Sequence, residues 1–213
     1  MYDVFQYEAK INIDEVRKTL VDLIRECIES RTSLTQQEFR RRMPQRYRGS
    51  YPMKYERSAE TSVDALLWKC SELTGKYCGC QYWSVKAKEL FDVTIDKRVG
   101  GRLPTPRDAG EITRSLQKKT QPNHQRIVHE HVFPRGDFIR RLLSLSNCDG
   151  LVALIGRLGI GCIVLGSEDN QLDRYIGDFD NPWLRYKKAK IRLLNNPNWD
   201  PFQRVWIEAA GLL

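Results

Sequence analysis

The strongest constraint on the fold is a short strand that ends at a proline. Ile127, Val128, Val132 and Phe133 are the β-branched and aromatic types that favour a strand, and Pro134 terminates it. The three histidines of the chain lie in or just before this strand: His124, His129 and His131. The position of this strand therefore decides where the imidazoles point.

Side chains of a strand alternate between its two faces. His129 and His131 are two residues apart, so we expect them to project together, with Glu130 on the opposite face. At the strand end, where regular pleating stops, Glu130 and His131 could still converge on one ion.

Most of the remaining chain has helical patterns. Apolar residues at helical spacing predict a first helix over 14–30. Thr35 and Glu38 predict a capped second helix that ends before Pro44. A short strand is predicted to lead into a helix that Ser84 opens. Further helices are predicted over 62–73, 110–119, 138–145, 151–158 and 200–213.

These patterns predict an α+β fold that is mostly helical. A second buried strand is predicted over 162–165, followed by a helix that Ser167 caps. The glycine- and proline-containing loop over 96–107 is the best candidate for a boundary. It would separate a helical, basic N-terminal region (1–95) from a C-terminal region (96–213).

The charge balance points to a polyanionic partner. The net charge is +8, which favours nucleic acid first. One basic segment interleaved with tyrosines contains Arg40, Arg41, Arg42, Arg46 and Arg48. A second, near Trp183 and Tyr186, contains Arg185, Lys187 and Lys188. Arginine forks and aromatic rings suit a nucleic-acid surface. Solvated charges on a loop or helix anchored by its aromatic residues are the alternative.

Composition excludes several classes of protein. Hydrophobic residues make up 41% and charged residues 29%, which argues against a disordered chain. Apolar runs such as 160–165 are far shorter than the roughly 20 residues of a membrane-spanning helix. The N-terminus lacks the pattern of a signal peptide, and six cysteines are too sparse for a disulfide scaffold. We therefore expect a cytoplasmic protein with reduced thiols and no membrane partner.

The segment Glu130-His131-Val132-Phe133-Pro134 resembles the acidic-His-hydrophobic-x-Pro core of the HNH nucleases, the ββα-metal or His-Me finger group. The resemblance implies that His131 is the general base that activates water and that Glu130 is a metal ligand. His129 would then contact a substrate phosphate or tune the site.

The second half of the resemblance is the strand, turn and helix over 161–174. Alignment of the strand and turn places Asn170 where the family has its helix ligand, and Asp173 is a further candidate. Such ligands suit Mg²⁺ or another hard divalent ion. The family's compact hairpin is replaced here by the long connection 135–160, in which Asn147 is a candidate to orient the histidine. The expectation is a ββα-metal finger in the C-terminal half.

These residues predict a metal-dependent endonuclease that hydrolyses DNA, and a restriction or defence nuclease would fit by analogy. Twofold symmetric cutting would require a homodimer. One alternative is a non-catalytic nucleic-acid-binding protein. Another is a metal-independent RNase that uses His129 and His131 as an acid–base pair. Adding a chelator to a cleavage assay distinguishes the three.

Overall fold

A computed structural model describes residues 13–44, 53–72, 80–175, 178–195 and 207–208 of the 213-residue chain. Nine α-helices lie in this described part: α1 (Ile13–Ser30), α2 (Gln36–Arg42), α3 (Ala59–Ser71), α4 (Val85–Val99), α5 (Pro106–Leu116), α6 (Arg135–Leu143), α7 (Leu151–Leu158), α8 (Gly166–Leu172) and α9 (Leu184–Lys188). Five strands accompany them: β1 (Tyr82–Ser84), β2 (Ile127–His131), β3 (Gly161–Leu165), β4 (Leu193–Asn195) and β5 (Ile207–Glu208). The predicted α+β, mostly helical class is confirmed.

The strands form one mixed sheet in the order β2-β3-β1-β4-β5. β2 pairs antiparallel with β3, in a register that puts His129 opposite Ile163 and His131 opposite Gly161. β1 runs parallel to β3 and antiparallel to β4. The sheet therefore combines strands from both sides of the loop over 96–107, because β1 precedes that loop and lies between two strands that follow it.

Helices cover both faces of the sheet. On one face, Trp83 and Ile163 pack with Phe91 of α4 and Ile112 of α5. On the other face, side chains of the same strands pack with α8 and α9, and the cluster includes Cys162, Val164, Leu172 and Tyr186. Because each strand sends alternate residues to the two faces, both apolar clusters draw on the same short strands.

A helical layer lies beside the sheet and holds its own core. It combines α1, α2, α3, α6 and α7, whose buried side chains include Leu20, Phe39, Leu66, Phe138 and Leu158. The long connection between β2 and β3 therefore contributes α6 and α7 to this layer. Its two predicted helices are confirmed, with shifted ends for the first.

Capping side chains set where several helices begin. The hydroxyl of Ser84 accepts the N–H of Ala87 at 3.1 Å, which confirms the predicted start of α4. α3 begins at Ala59, three residues before the predicted start, because Ser58 and Thr61 form a reciprocal capping box. The predicted cap at Ser167 is wrong, because α8 begins at Gly166 and Ser167 therefore lies within the helix.

Two further expectations need correction or fall outside the described residues. The predicted helix over 200–213 is described only at Ile207–Glu208, and these residues form a strand paired with β4. Arg46 and Arg48 lie outside the described residues. Among the described helices, none is both long enough and apolar enough to cross a membrane.

We expect Gly161→Ala to destabilise the protein. An added Cβ would lie 2.3 Å from Nε2 of His129 and 2.9 Å from the carbonyl oxygen of Ser71, in the closely packed space between β3 and α3. Overpacking of this kind costs about 1–3 kcal/mol of unfolding free energy. Gly156→Ala is the control, because Gly156 lies in α7 with open space around it and alanine favours a helix by about 0.5–1 kcal/mol. Urea unfolding measures both; equal stability of the two variants would contradict the packing at Gly161.

Candidate functional site

His129 and His131 lie on the same face of β2, as their spacing predicts. Their ring centroids are 4.8 Å apart. Trp68 of α3 contacts both rings through edge-on geometry, with centroid distances of 4.5 Å to His129 and 5.2 Å to His131. The imidazole pair therefore packs against an indole, which limits the approach of a substrate.

The side chain of His129 is fully buried among polar groups of α3 and the residue that follows it. The Ser71 hydroxyl donates to the carbonyl oxygen of Trp68 at 2.8 Å and also lies 3.2 Å from Nε2 of His129. Nδ1 faces the Glu72 carboxylate, whose Oε1 lies 3.7 Å away. These contacts make His129 a structural link between the sheet and α3.

His131 is neutral under ordinary conditions. Burial, together with the smaller effect of the nearby charge of Arg135, lowers its pKa from 6.5 to about 3. Arg135 is itself held by the Asp64 carboxylate, 2.7 Å from its Nε, and lies over the Trp68 ring. Nε2 of His131 is buried and has no hydrogen-bond partner among the described residues. A base with so low a pKa is a poor proton acceptor near neutral pH.

Glu130 points to the opposite face of β2 and is bound by residues of α9. Its carboxylate forms an ion pair with Arg185 and accepts a hydrogen bond from the Tyr186 hydroxyl. Arg185 also donates from Nη2 to the carbonyl oxygen of His131 at 2.7 Å. The side chains of Glu130 and Arg185 are 11% and 5% exposed, so the negative charge of the carboxylate is already neutralised within the protein.

The helix that follows β3 packs on the Glu130 face of the sheet. Leu172 of α8 belongs to the same apolar cluster as Val132. Asn170 and Asp173 of this segment are exposed. The expected convergence of Glu130, His131 and Asn170 on one ion is therefore not formed, because His131 lies on the other side of β2 and Glu130 is paired with Arg185.

Asn147, the candidate to orient the histidine, lies in an exposed turn. Its side-chain oxygen accepts the backbone N–H of Asp149 at 2.7 Å, and its amide nitrogen donates to the Asp149 carboxylate at 3.0 Å. Asn147 thus stabilises the turn before α7.

The donors present do not fit the expected divalent ion. In the described part of the chain, no group of three or more histidine, cysteine, aspartate or glutamate side chains could hold a metal. Glu130 is the carboxylate nearest in sequence to the predicted base, His131. It forms an ion pair with the guanidinium of Arg185 instead of binding a metal ion. No reaction step through Mg²⁺ follows from this arrangement.

The predicted nucleic-acid contacts that lie in the described part of the chain divide into three groups. Arg41 and Arg42 are paired with the carboxylates of Glu38 and Glu26, at 2.8 and 2.5 Å. The assignment of Arg185 to nucleic-acid binding needs correction, because its guanidinium is buried against Glu130. The remaining side chains, which are exposed, are Arg40, Lys187 and Lys188.

Local sequence patterns gave no sign of the side chains that define this site. Trp68 lies about sixty residues before the histidines that it contacts, and Arg185 lies a similar distance after Glu130. A helical tryptophan reads as an ordinary core residue, and an arginine in a basic segment reads as a surface residue. Only the packing of α3 and α9 on β2 assigns them.

Comparisons with known proteins found no significant match for this chain: no protein-family model matches it, and no curated protein or solved structure is significantly similar to it. The likeness to HNH nucleases therefore rests on the motif at Glu130–Pro134 and on the β2–β3–α8 outline.

We expect the imidazole of His131 to remain neutral at about pH 5. The folded protein binds this proton less readily than the unfolded chain, since the pKa falls from 6.5 to about 3 on folding. The stability contributed by neutral His131 is thus complete above pH 6.5 and is lost as the pH falls towards 3, by up to about 1.4 kcal/mol per pH unit. NMR of the ring nitrogens across this range measures the titration, with His131→Asn to assign the signal. Titration of His131 above pH 6 would contradict the burial.

Proposed function

We propose that the protein binds the phosphate backbone of nucleic acid without cutting it. The observation that carries this proposal is the display of Lys187 and Lys188 on an anchored helix. Arg185 and Tyr186 of α9 are buried against Glu130, whereas the two lysines that follow them are exposed.

The anchoring of α9 matters because it reduces the cost of ordering the lysines on binding. A buried ion pair and a buried tyrosine hold the helix backbone, so only the lysine side chains lose freedom when phosphate binds. Lys190 is also exposed just beyond the helix, in a left-handed backbone conformation with φ of 56°. Together with a net charge of +8, this cluster favours a polyanion that releases its counterions on binding.

The internal arrangement of the site favours binding over hydrolysis. The carboxylate that would hold a cation already holds Arg185, and the imidazole that would take a proton has a pKa of about 3. General-base catalysis is most effective when the pKa of the base is near the working pH. Neither group is set for phosphodiester hydrolysis.

Charge reversal at the two lysines tests this proposal. We expect Lys187→Glu/Lys188→Glu to weaken binding to a labelled DNA duplex at least about tenfold, because each lost contact also introduces repulsion of phosphate. Lys118→Glu/Lys119→Glu is the control, since these exposed lysines follow α5 and give the same change in net charge. Fluorescence anisotropy at several salt concentrations measures both. Equal losses would show that only net charge matters and would contradict a localised site.

A second candidate function is the metal-dependent nuclease. The specific observation in its favour is that β2 and β3 pair antiparallel and that α8 follows β3 at once, which is the ββα outline of the HNH group. In this reading, Glu130 would have to leave Arg185 before it could bind a metal.

Incubation with supercoiled plasmid and with single-stranded RNA tests this candidate. We expect both substrates to remain intact with Mg²⁺ or Mn²⁺, because the groups needed for hydrolysis do not converge. Cleavage that chelator abolishes and that His131→Ala and Glu130→Gln both lose would instead establish the nuclease. Cleavage of RNA that persists in chelator and requires both His129 and His131 would establish the metal-independent RNase.

A further inference from the structure

A second concentration of positive charge lies where two helices converge on one aromatic ring. Cζ of Arg141, from α6, is 4.2 Å from the centroid of Phe179, and Cζ of Arg157, from α7, is 5.0 Å from it. Phe179 is fixed from beneath by an edge-on contact with Phe133, at a centroid distance of 5.9 Å. Two guanidiniums from separate helices are therefore held at one place on the surface.

Neither arginine is neutralised by a carboxylate in the part of the chain that the structure describes. Arg141 and Arg157 are exposed, and no ion pair joins either of them to a described acidic residue. The adjacent Arg140 differs, because its guanidinium pairs with Asp137. Two like charges held on one ring repel each other, and an anion bound between them would relieve that repulsion.

The acidic residues beside Phe179 do not supply that anion. Oδ1 of Asp178 accepts the backbone N–H groups of Asp180 and Asn181, at 2.8 and 3.0 Å, so this carboxylate serves the turn. Asp180 is exposed and forms no ion pair with either arginine. The arginine pair therefore remains available to an external ligand.

The arginine pair is linked along the chain to the lysines of α9 through the turn at 178–181. The backbone N–H groups of Asn181 and Asp180 lower the pKa of Asp178, and the charge of Lys188 lowers it further. Asp178 is the residue next to Phe179, so Lys188 acts electrostatically on the turn that carries the ring. Phe179 lies five residues before the first residue of α9, so a short segment of chain joins the arginine pair to the lysines of that helix.

We propose that Arg141 and Arg157, held on Phe179, form a second contact site for the phosphodiester backbone of the same nucleic acid. The inference rests on the proposed function, and it names a binding surface wider than α9. A guanidinium stacked on a ring keeps its N–H groups free at its edge, where they match phosphate oxygens in forked pairs. With two guanidiniums over the ring, little of Phe179 is left for a base to stack on. We therefore expect the site to bind the phosphate backbone without discriminating between base sequences.

The test compares two double variants with equal changes in charge. Arg141→Gln/Arg157→Gln removes the pair on Phe179. Arg107→Gln/Arg140→Gln is the control, because both of these exposed arginines are paired with carboxylates, Glu111 and Asp137. Binding to a labelled duplex and to a labelled single strand is followed by fluorescence anisotropy over a range of salt concentrations.

We expect the Arg141/Arg157 variant to bind about tenfold more weakly or worse, and the control to bind nearly as the parent chain does. Loss of two phosphate contacts should lower the slope of log K against log salt by about 1.8 for the duplex or about 1.4 for the single strand. A third variant, Arg141→Lys/Arg157→Lys, keeps the charge and should retain most of the slope while losing part of the affinity.

The possible failures are distinguishable. If the lysine reversal on α9 weakens binding but the arginine variant matches its control, this inference is wrong and the proposed function stands. If the parent chain shows no salt-dependent binding, both are wrong. Thermal unfolding of each variant confirms that the exposed substitutions have left the fold intact. The Arg141→Lys/Arg157→Lys variant provides a second folded protein in which both positions keep a positive charge.

Discussion

The antiparallel pairing of β2 with β3 is the constraint on which the arrangement of polar groups depends. In the observed register, the last residue pair is His131 opposite Gly161. This register decides which face of the sheet each side chain of β2 occupies. A slip of one residue would exchange the two faces. The histidines would then meet α9, and Glu130 would meet Trp68. Gly161 supports the observed register because its missing side chain leaves the space that His129 and Ser71 occupy.

The two faces of β2 offer contrasting electrostatic environments. Towards α3, the imidazoles of His129 and His131 pack on the indole of Trp68. Towards α9, Glu130 and Arg185 form a buried ion pair that the Tyr186 hydroxyl completes. Burial of charges is costly unless they are paired and hydrogen-bonded, so each partner depends on the other, and removal of one typically costs about 3–5 kcal/mol. This mutual dependence fixes α9 against the sheet.

A fixed α9 connects the interior of the protein to its surface. Arg185 and Tyr186 face inwards, and the next two residues carry positive charge into solvent. Two further exposed arginines, Arg141 and Arg157 from helices of the neighbouring layer, lie over the ring of Phe179. Within the described residues, Arg185 pairs with a carboxylate and helps to organise the fold, whereas no ion pair joins Arg141 or Arg157 to a described carboxylate.

Local pattern was enough to predict the α+β class, most helices, the strand of the histidines and their shared face. Periodicity and caps depend on neighbours within a few residues, which the sequence contains directly. The side chains that pack against the two faces of that strand could not be predicted from local pattern. Whether Glu130 would meet a metal or Arg185, and whether His131 would meet water or Trp68, depended on how segments some sixty residues apart pack together. Alternation along a strand can be predicted from sequence; what lies above and below it is decided by tertiary packing.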